Sequence, residues 1–510
     1  MKKIDGLEYL KLSKWNKFVY RFLSFFAAIP GKLWGLVKAI GNFFKKIGLG
    51  IGSECRDIVT TFVQGDWKTK LSYLFMGFGN IARGQILRGV LFFLFEIVFI
   101  VYMVTTGVYW LSKLPTLGTK GAELVETTSR FGTKTMTTVY NDNSFKILLY
   151  GVLTLFFIVA FIYTWRSNIK QNKIAEQILK SGKPLKSGKD DLHSLVDDNF
   201  HRTLLALPLT GILVFTVMPI FFMILVAFTN YDFEHDGLNT LFHWNGLEGF
   251  KEMLTWNSGP VKYSAAFGEI LTWTLIWAFF ATFTNYFLGI FVAMMINKKG
   301  IKLKKLWRTV LVLTIAIPQF ISLLFVSQMF AKNGIVNGVL KDIGIIAKDI
   351  DWWGDPTLAR VMVIIINIWI GIPYLMLIAT GILMNIPADL YESCKIDGAS
   401  GWKQFSKITL PYMLFITGPY LLTSFTGNMN NFNVIFLLTG GGPTNINLSG
   451  TSNVGHTDLL ITWLFKLTTG ANQKYYLASV VGILVFIVVA IITLVVYNVL
   501  PSVKNEEDFQ

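Results

Sequence analysis

Residues 392–411 read ESCKIDGASGWKQFSKITLP, and they stand between two long apolar runs, 358–385 and 411–438. Glu392, Lys395, Asp397, Lys403 and Lys407 gather there with Gly398, Gly401 and a closing Pro411. A segment that merely joined two apolar helices would be shorter and plainer. The pattern predicts two short helices about a glycine. Pro387 suits a first-turn position and Asp389 adds negative charge to that turn. Gly398 closes the first helix, and a second, from about Trp402, leads to Pro411 at the start of the next run.

The chain around this stretch is apolar. Of its 510 residues 53% are hydrophobic and 15% charged, with 43 Phe and 15 Trp, and the mean hydropathy of +0.51 lies well above soluble usage. Eight runs approach the roughly 20 apolar residues that cross a hydrocarbon core: 89–110, 145–165, 203–228, 268–296, 305–330, 358–385, 411–438 and 476–500. The sequence therefore predicts an all-α integral membrane protein with about eight transmembrane helices. With the N-terminus inside, segments 1–88, 166–202, 297–308, 386–411 and 501–510 hold 33 of the 46 basic residues, so both termini are expected in the cytoplasm. The net charge of +15 then reads as helix-end cations; no basic domain stands apart to meet nucleic acid. Cys55 and Cys394, the only cysteines, both fall on the cytoplasmic side, where reduced thiols are expected.

The expected organisation is a basic amphipathic region over 1–88, a transmembrane hairpin over 89–166, a cytoplasmic linker over 167–202, a membrane core over 203–500 and a tail over 501–510. In the first region Phe18, Phe22, Phe25, Trp34 and Val37 interleave with Lys17, Arg21, Lys32 and Lys38, as in a helix lying on membrane lipid at the inner interface. Residues 181–190, SGKPLKSGKD, resemble a nucleotide-binding loop only superficially. Gly182 and Gly188 have five residues between them rather than four, and Asp190 stands where Ser or Thr must reach the metal. Glu96 is the one acidic residue well inside an apolar run; pairing with a neighbour such as Arg88 and a functional role are both open to it.

Residues 420–432, YLLTSFTGNMNNF, carry more polarity than a lipid-facing helix tolerates. On a helix Ser424, Asn428 and Asn431 fall at i, i+4 and i+7, on one face. Such a face must point into the bundle or a wet cavity, because an unpartnered amide in lipid costs several kcal/mol. Interhelical hydrogen bonding is one use for it. A hydroxyl and two amides beside Phe425 and Phe432 favour the other, a path for a polar solute. Amides donate to and accept from hydroxyls, and aromatic faces suit the C–H face of a sugar ring. Residues 369–375, WIGIPYL, add Gly371 and Pro373, which permit close approach or a kink, with Trp369 and Tyr374 alongside.

The opening stretch resembles the EAA loop of ATP-binding-cassette importer permeases. Glu392 is followed by two small residues, Ser393 and Cys394, then three residues including Asp397, then Gly398, nine residues, and Ile408, Thr409, Leu410 and Pro411. The family pattern has two alanines where Ser393 and Cys394 stand. From about residue 203 onward the chain is similar to the larger membrane subunit of maltose/maltodextrin importers, through IWIGIPYLMLIATGILMNIPADLYE, SFTGNMNNFNVIFLLTGGGP and GHTDLLITWLFK. The resemblance implies a type I importer permease core with an extra N-terminal helical hairpin. It implies sugar contacts at Gly371, Tyr374, Ser424, Asn428 and Asn431, and a glutamate-bearing knob at 392–411 that enters a cleft of an ATPase subunit. Gly427 departs from relatives that carry an aromatic there.

The same resemblance implies the partners. These are a second permease subunit, two ATPase subunits that use ATP and magnesium, and an extracellular sugar-binding lipoprotein that delivers an oligosaccharide. No cofactor, metal or catalytic residue is expected in this chain. The segment 229–267 is too short for the large outer domain some relatives carry, as in bacteria without an outer membrane, and 440–475, with TDLLITWLF, becomes the expected contact for the binding protein. Rival readings are a permease of the same class for another oligosaccharide, a polyol or a glycerol phosphate, an ion-coupled secondary transporter, and a non-transporting scaffold. Phosphate would favour Arg or Lys in the path, and 411–438 holds neither. Ion coupling would favour intramembrane carboxylates along it.

Overall fold

The computed structural model describes residues 45–128, 134–255, 262–298, 300–448 and 453–497, with Ser13, Gly35, Lys38, Gly41, Asn42 and Gly450 besides. The amphipathic helix expected over 18–38 and the tail over 501–510 therefore lie largely or wholly outside the described residues. The chain divides into two compact units, residues 1–244 and 245–510. Among the described residues seven helices are long and apolar enough to cross a membrane, or eight if one bent pair is a single span.

In the first unit, helical residues 45–64 (α1) precede the spans Ile86–Lys113 (α2), Ser144–Lys180 (α3) and Phe200–Val226 (α4). Helix α3 runs on through residue 180, so much of the expected linker 167–202 is helix. The stretch 181–190 proves to be a connector whose Ser187 and Asp190 form a reciprocal capping box on helix Gly188–Val196. Glu96 is buried and accepts the Met76 N–H at 2.7 Å, while Arg88 turns instead to Gln171 and Asp191, at 2.7 and 2.6 Å. Among the described residues between α2 and α3 none is helical. Ala122–Thr128 (β1) and Lys134–Tyr140 (β2) pair antiparallel, Ala122 opposite Tyr140 and Thr128 opposite Lys134. This hairpin is a small addition to an otherwise helical fold; the threonines and valines of 122–140 favour a pleated strand over a helix.

The second unit is organised by Tyr263–Asn297 (α5) and Pro356–Met384 (α8), with Leu410–Met429 (α10) against α5 and Tyr475–Tyr497 (α13) against α10. On α5, Trp273, Trp277 and Ala281 recur every four residues and are buried with Met362, Val363 and Ile366 of α8. Tyr286, Ile290 and Ala293 continue the seam against Leu375, Met376 and Ala379. Asp355 caps α8 by accepting the Leu358 N–H at 2.7 Å, with Pro356 behind it at the first turn.

The span expected over 305–330 is broken. Lys304–Ala316 (α6) and Gln319–Met329 (α7) meet at 92°. Pro318 has no N–H to continue the ladder, and the residue before it, Ile317, is extended (φ −81°, ψ 127°).

Candidate functional site

The polar stretch 420–432 does not remain one helix. Helix α10 ends at Met429, and Asn431 caps the next helix, Phe432–Thr439 (α11), by accepting the Val434 N–H at 3.3 Å. The regular i, i+4, i+7 face expected of Ser424, Asn428 and Asn431 is thus corrected at its third member. Asparagine competes well for a helix N-cap, and here that preference interrupts the span. The break still brings the two amides together: Asn431 Nδ2 donates to Asn428 Oδ1 at 3.3 Å, and Asn428 Nδ2 to Thr282 Oγ1 on α5 at 3.0 Å. The Trp277 indole N–H donates to the Asn428 carbonyl at 3.0 Å. Asn428 is therefore oriented from both sides, with a second amide hydrogen and a second lone pair left to offer.

Tyr374 on α8 faces Tyr420 on α10, ring centroids 6.5 Å apart, and Tyr420 is within hydrogen-bonding reach of Ser424. Tyr374 is 52% exposed, and nothing lies within 4 Å of a Cβ built on Gly427. The stripe thus opens toward free space on one side. Gly371 does something else. A Cβ there would stand 2.3 Å from Asn285 Nδ2 on α5, so the glycine is the notch that receives that amide. Gly371→Ala should displace Asn285 and lower stability by about 1–3 kcal/mol, seen as a lower unfolding temperature of the detergent-solubilised protein.

Thr282, Asn285 and Asn367 are site residues that sequence reasoning missed. Their signal was present: polar residues in apolar runs, Thr282 and Asn285 three apart and hence on one face of α5. Asn285 Oδ1 and Asn367 Nδ2 are buried without a hydrogen-bond partner among the described residues. Unsatisfied buried polar atoms cost about 1–3 kcal/mol each, and these border Gly371.

The segment that opened the sequence is a helix–turn–helix element. Helix Ala388–Ile396 (α9) begins after Pro387, which sits at the cap rather than the first turn. Gly398 takes φ +68°, and the Ala399 N–H closes on the Cys394 carbonyl at 2.9 Å. Ser400 then caps Gly401–Gln404, and Phe405–Thr409 carries the helix without interruption into α10. The Tyr391 hydroxyl meets Thr409 Oγ1 at 2.9 Å and locks the two arms. Glu392, Ser393, Asp397, Gly398 and Pro411 are exposed, and Cys394, Ile408 and Leu410 half-buried. Ile396 and Trp402 are 87% and 74% exposed, and Ile396 lies one turn from Glu392 on α9.

At 440–475 the apolar stripe of TDLLITWLF is turned inward. In Leu460–Thr469 (α12), Leu460, Trp463 and Leu467 are fully buried, which leaves for a partner only the other face of that helix. Buried Asp458 pairs with Lys466 at 2.6 Å and also accepts from the Gly455 N–H and Thr462 hydroxyl. Lys466→Ala strands that carboxylate and should cost about 3–5 kcal/mol, measurable by thermal unfolding, while Asp458→Asn with Lys466→Met should recover most of it.

Residues 285–504 match the family of binding-protein-dependent transport system inner membrane components. The chain is similar to the maltodextrin transport system permease protein MalC of Streptococcus pneumoniae, 32% identical over 450 residues, 86% of this chain and 97% of that one. It is 34% identical over 380 residues to the galactooligosaccharides transport system permease protein GanP of Bacillus subtilis, 72% of this chain and 86% of that one. Among solved structures it is similar to a bacterial transporter that imports the polysaccharide alginate, with TM-score 0.49 and 21% identity over 60% of this chain and 97% of that one.

Proposed function

Because this chain belongs to the family of binding-protein-dependent transport system inner membrane components, the permeases of ABC importers, we propose that it carries maltodextrin-type oligosaccharides across the plasma membrane of a bacterium. One observation supports this above the others. A single helix, α10, joins the exposed Glu392 element to a stripe of amides and aromatic rings. Pro411 and Ser424 are 13 residues apart, roughly 20 Å of helix.

A lipid-anchored binding protein delivers the sugar to the outer mouth. Two ATPase subunits, which hold ATP and magnesium, close around the Glu392 element and a matching one on a second permease subunit. Force on the element moves α10 and, through Asn428–Thr282 and Trp277–Asn428, its contact with α5, so that the stripe changes side. The chain itself performs no covalent chemistry. Both termini lie in the cytoplasm, on the side rich in Lys and Arg. The open flank of the stripe at Tyr374 and Gly427 is where the second permease completes the passage. Asn428, Asn431 and Ser424 hydrogen-bond hydroxyls, and Tyr374 and Tyr420 offer ring faces.

The similarity to a galactooligosaccharide permease supports a second reading, a galacto-oligosaccharide in the same stripe. Competition decides between them. Uptake of labelled maltodextrin by the reconstituted importer should be suppressed by unlabelled α-glucans and not by galacto-oligosaccharides; the reverse order favours the second reading.

A further inference from the structure

Between α1 and α2 the chain makes a turn that is built into the first unit. Asp66 accepts the Thr69 N–H at 2.8 Å and caps helix Trp67–Leu71; residues 72–77 follow as a series of turns, and Phe78–Ile81 leads back toward Ile86. Side chains of α2 and α3 satisfy the backbone of these turns. Glu96 accepts the Met76 N–H at 2.7 Å, and Asn168 accepts the Gly77 N–H at 2.9 Å while donating to the Ser72 carbonyl at 2.8 Å. The Trp165 indole donates to the Tyr73 carbonyl at 3.0 Å. Gly77, at φ +80°, lies directly on α2, where a Cβ would stand 2.0 Å from the Gly89 carbonyl oxygen. Arg83 holds the base: its side chain is buried and donates to Asp66 at 2.5 Å and Asn172 at 2.8 Å. We propose that residues 67–75 are an anchor set into the lipid leaflet at the Lys- and Arg-rich end of the spans, with Leu74 and Phe75 among the acyl chains and Lys68 and Lys70 on the phosphates of anionic phospholipid.

Depth, exposure and charge point the same way. Trp165 closes the apolar run 145–165, so the carbonyl it holds lies where that span leaves the hydrocarbon. Backbone that turns at such a depth must find its partners within the protein, and 72–77 does so. Leu74 and Phe75, set among those buried groups, are nevertheless 67% and 48% exposed. Two apolar side chains held outward in this way are unfavourable in water and favourable in lipid. Trp67 is exposed as well, and an indole with one polar edge suits the headgroup level; Leu71 follows it by one turn on the same face. The Lys68 Nζ donates to the Ala82 carbonyl at 3.1 Å, and Lys70 is exposed. Neither has a carboxylate partner among the described residues, whereas Arg83, Arg88, Arg166 and Lys173 of the same unit each have one. Two uncompensated ammonium groups beside a lipid-facing patch are the usual complement of an anionic leaflet. A water-soluble protein is a poorer occupant for side chains level with Trp165, where the hydrocarbon begins. The anchor stands apart in sequence from the basic stretch 18–38, and it is independent of which sugar is carried.

The test uses the assembled importer, checked by co-purification, in vesicles of phosphatidylcholine and phosphatidylglycerol. With Cys55 and Cys394 replaced by serine, a bimane fluorophore is placed on Leu74→Cys, and on Lys183→Cys in the exposed connector as a control. The label at 74 should be quenched by lipids that carry a nitroxide on the acyl chain and shielded from aqueous iodide, and the label at 183 should behave in the opposite way. Nitroxide carried on phosphatidylglycerol should quench the label at 74 about fivefold more strongly than nitroxide carried on phosphatidylcholine, the worth of one lysine near an anionic surface. Lys68→Gln with Lys70→Gln should bring that ratio to about one while quenching by the acyl chains persists. Iodide reaching the label at 74 without quenching by lipid overturns the anchor. Equal quenching by the two lipids with both lysines present, or a ratio that the double variant leaves unchanged, overturns its preference for anionic lipid. Quenching by lipid that appears only when the ATPase subunits are left out gives the surface to that partner and overturns the anchor as well.

Discussion

Glu392→Lys should abolish ATP-driven sugar uptake while the protein folds, inserts and receives sugar from the binding protein as before. The side chain is exposed on α9 and makes no ion pair among the described residues, so its reversal should change stability by no more than about 0.5 kcal/mol. What it changes is the charge one turn from the exposed Ile396. An exposed apolar side chain gains affinity when a partner buries it, and a complementary charge nearby orients that contact. A lysine there meets whatever cation the carboxylate met, and like-charge juxtaposition at a closed interface costs several kcal/mol. Uptake by reconstituted vesicles, with assembly checked by co-purification, is the measurement; normal uptake in the variant would sink the coupling role.

Asn428→Ala combined with Asn431→Ala should lower sugar uptake at limiting concentration by roughly ten- to hundredfold, the loss of two hydrogen-bonding amides. Binding of the ATPase subunits should persist, because the helix–turn–helix element keeps its own caps and its Tyr391–Thr409 lock. Asn431 also caps α11, so its loss carries a structural cost of about 1 kcal/mol. Asn431→Asp separates the two effects. It retains an oxygen for the Val434 N–H and removes the amide donor, so it should keep the protein's stability and still impair uptake. An aspartate variant with full transport would restrict Asn431 to a structural role.

Legibility followed physical scale. Spans were readable because about 20 apolar residues in succession have few other uses, and Glu392–Pro411 because caps, glycine and proline at fixed offsets specify a local shape. The α6–α7 break was marked by Pro318 in the run, yet its sharpness depends on what α7 packs against, including the Ser327 hydroxyl bonded to the Leu438 carbonyl at 2.7 Å. The stripe was legible by composition and misread in geometry. Three polar residues at helical spacing invited a continuous face, whereas Asn431 was bound for a cap. Thr282, Asn285 and Asn367 stayed hidden for a different reason: each becomes part of the site only when α5 packs against α8 and α10, and such a crossing is set by tertiary packing. The β1–β2 hairpin was missed because attention to apolar runs passes over a short threonine-rich segment between two of them. The inward turn of Leu460, Trp463 and Leu467 shows the same limit, since apolar periodicity names a face and leaves its partner unnamed.

Whether ATP hydrolysed elsewhere moves sugar through a passage this chain helps to form is read most directly from uptake of labelled maltodextrin into vesicles that hold this chain, its partner permease and the ATPase subunits, with binding protein added outside. Accumulation should require binding protein and internal ATP together and persist when ion gradients are collapsed. Accumulation driven by an ion gradient without ATP, or undiminished when this chain is left out, would contradict it.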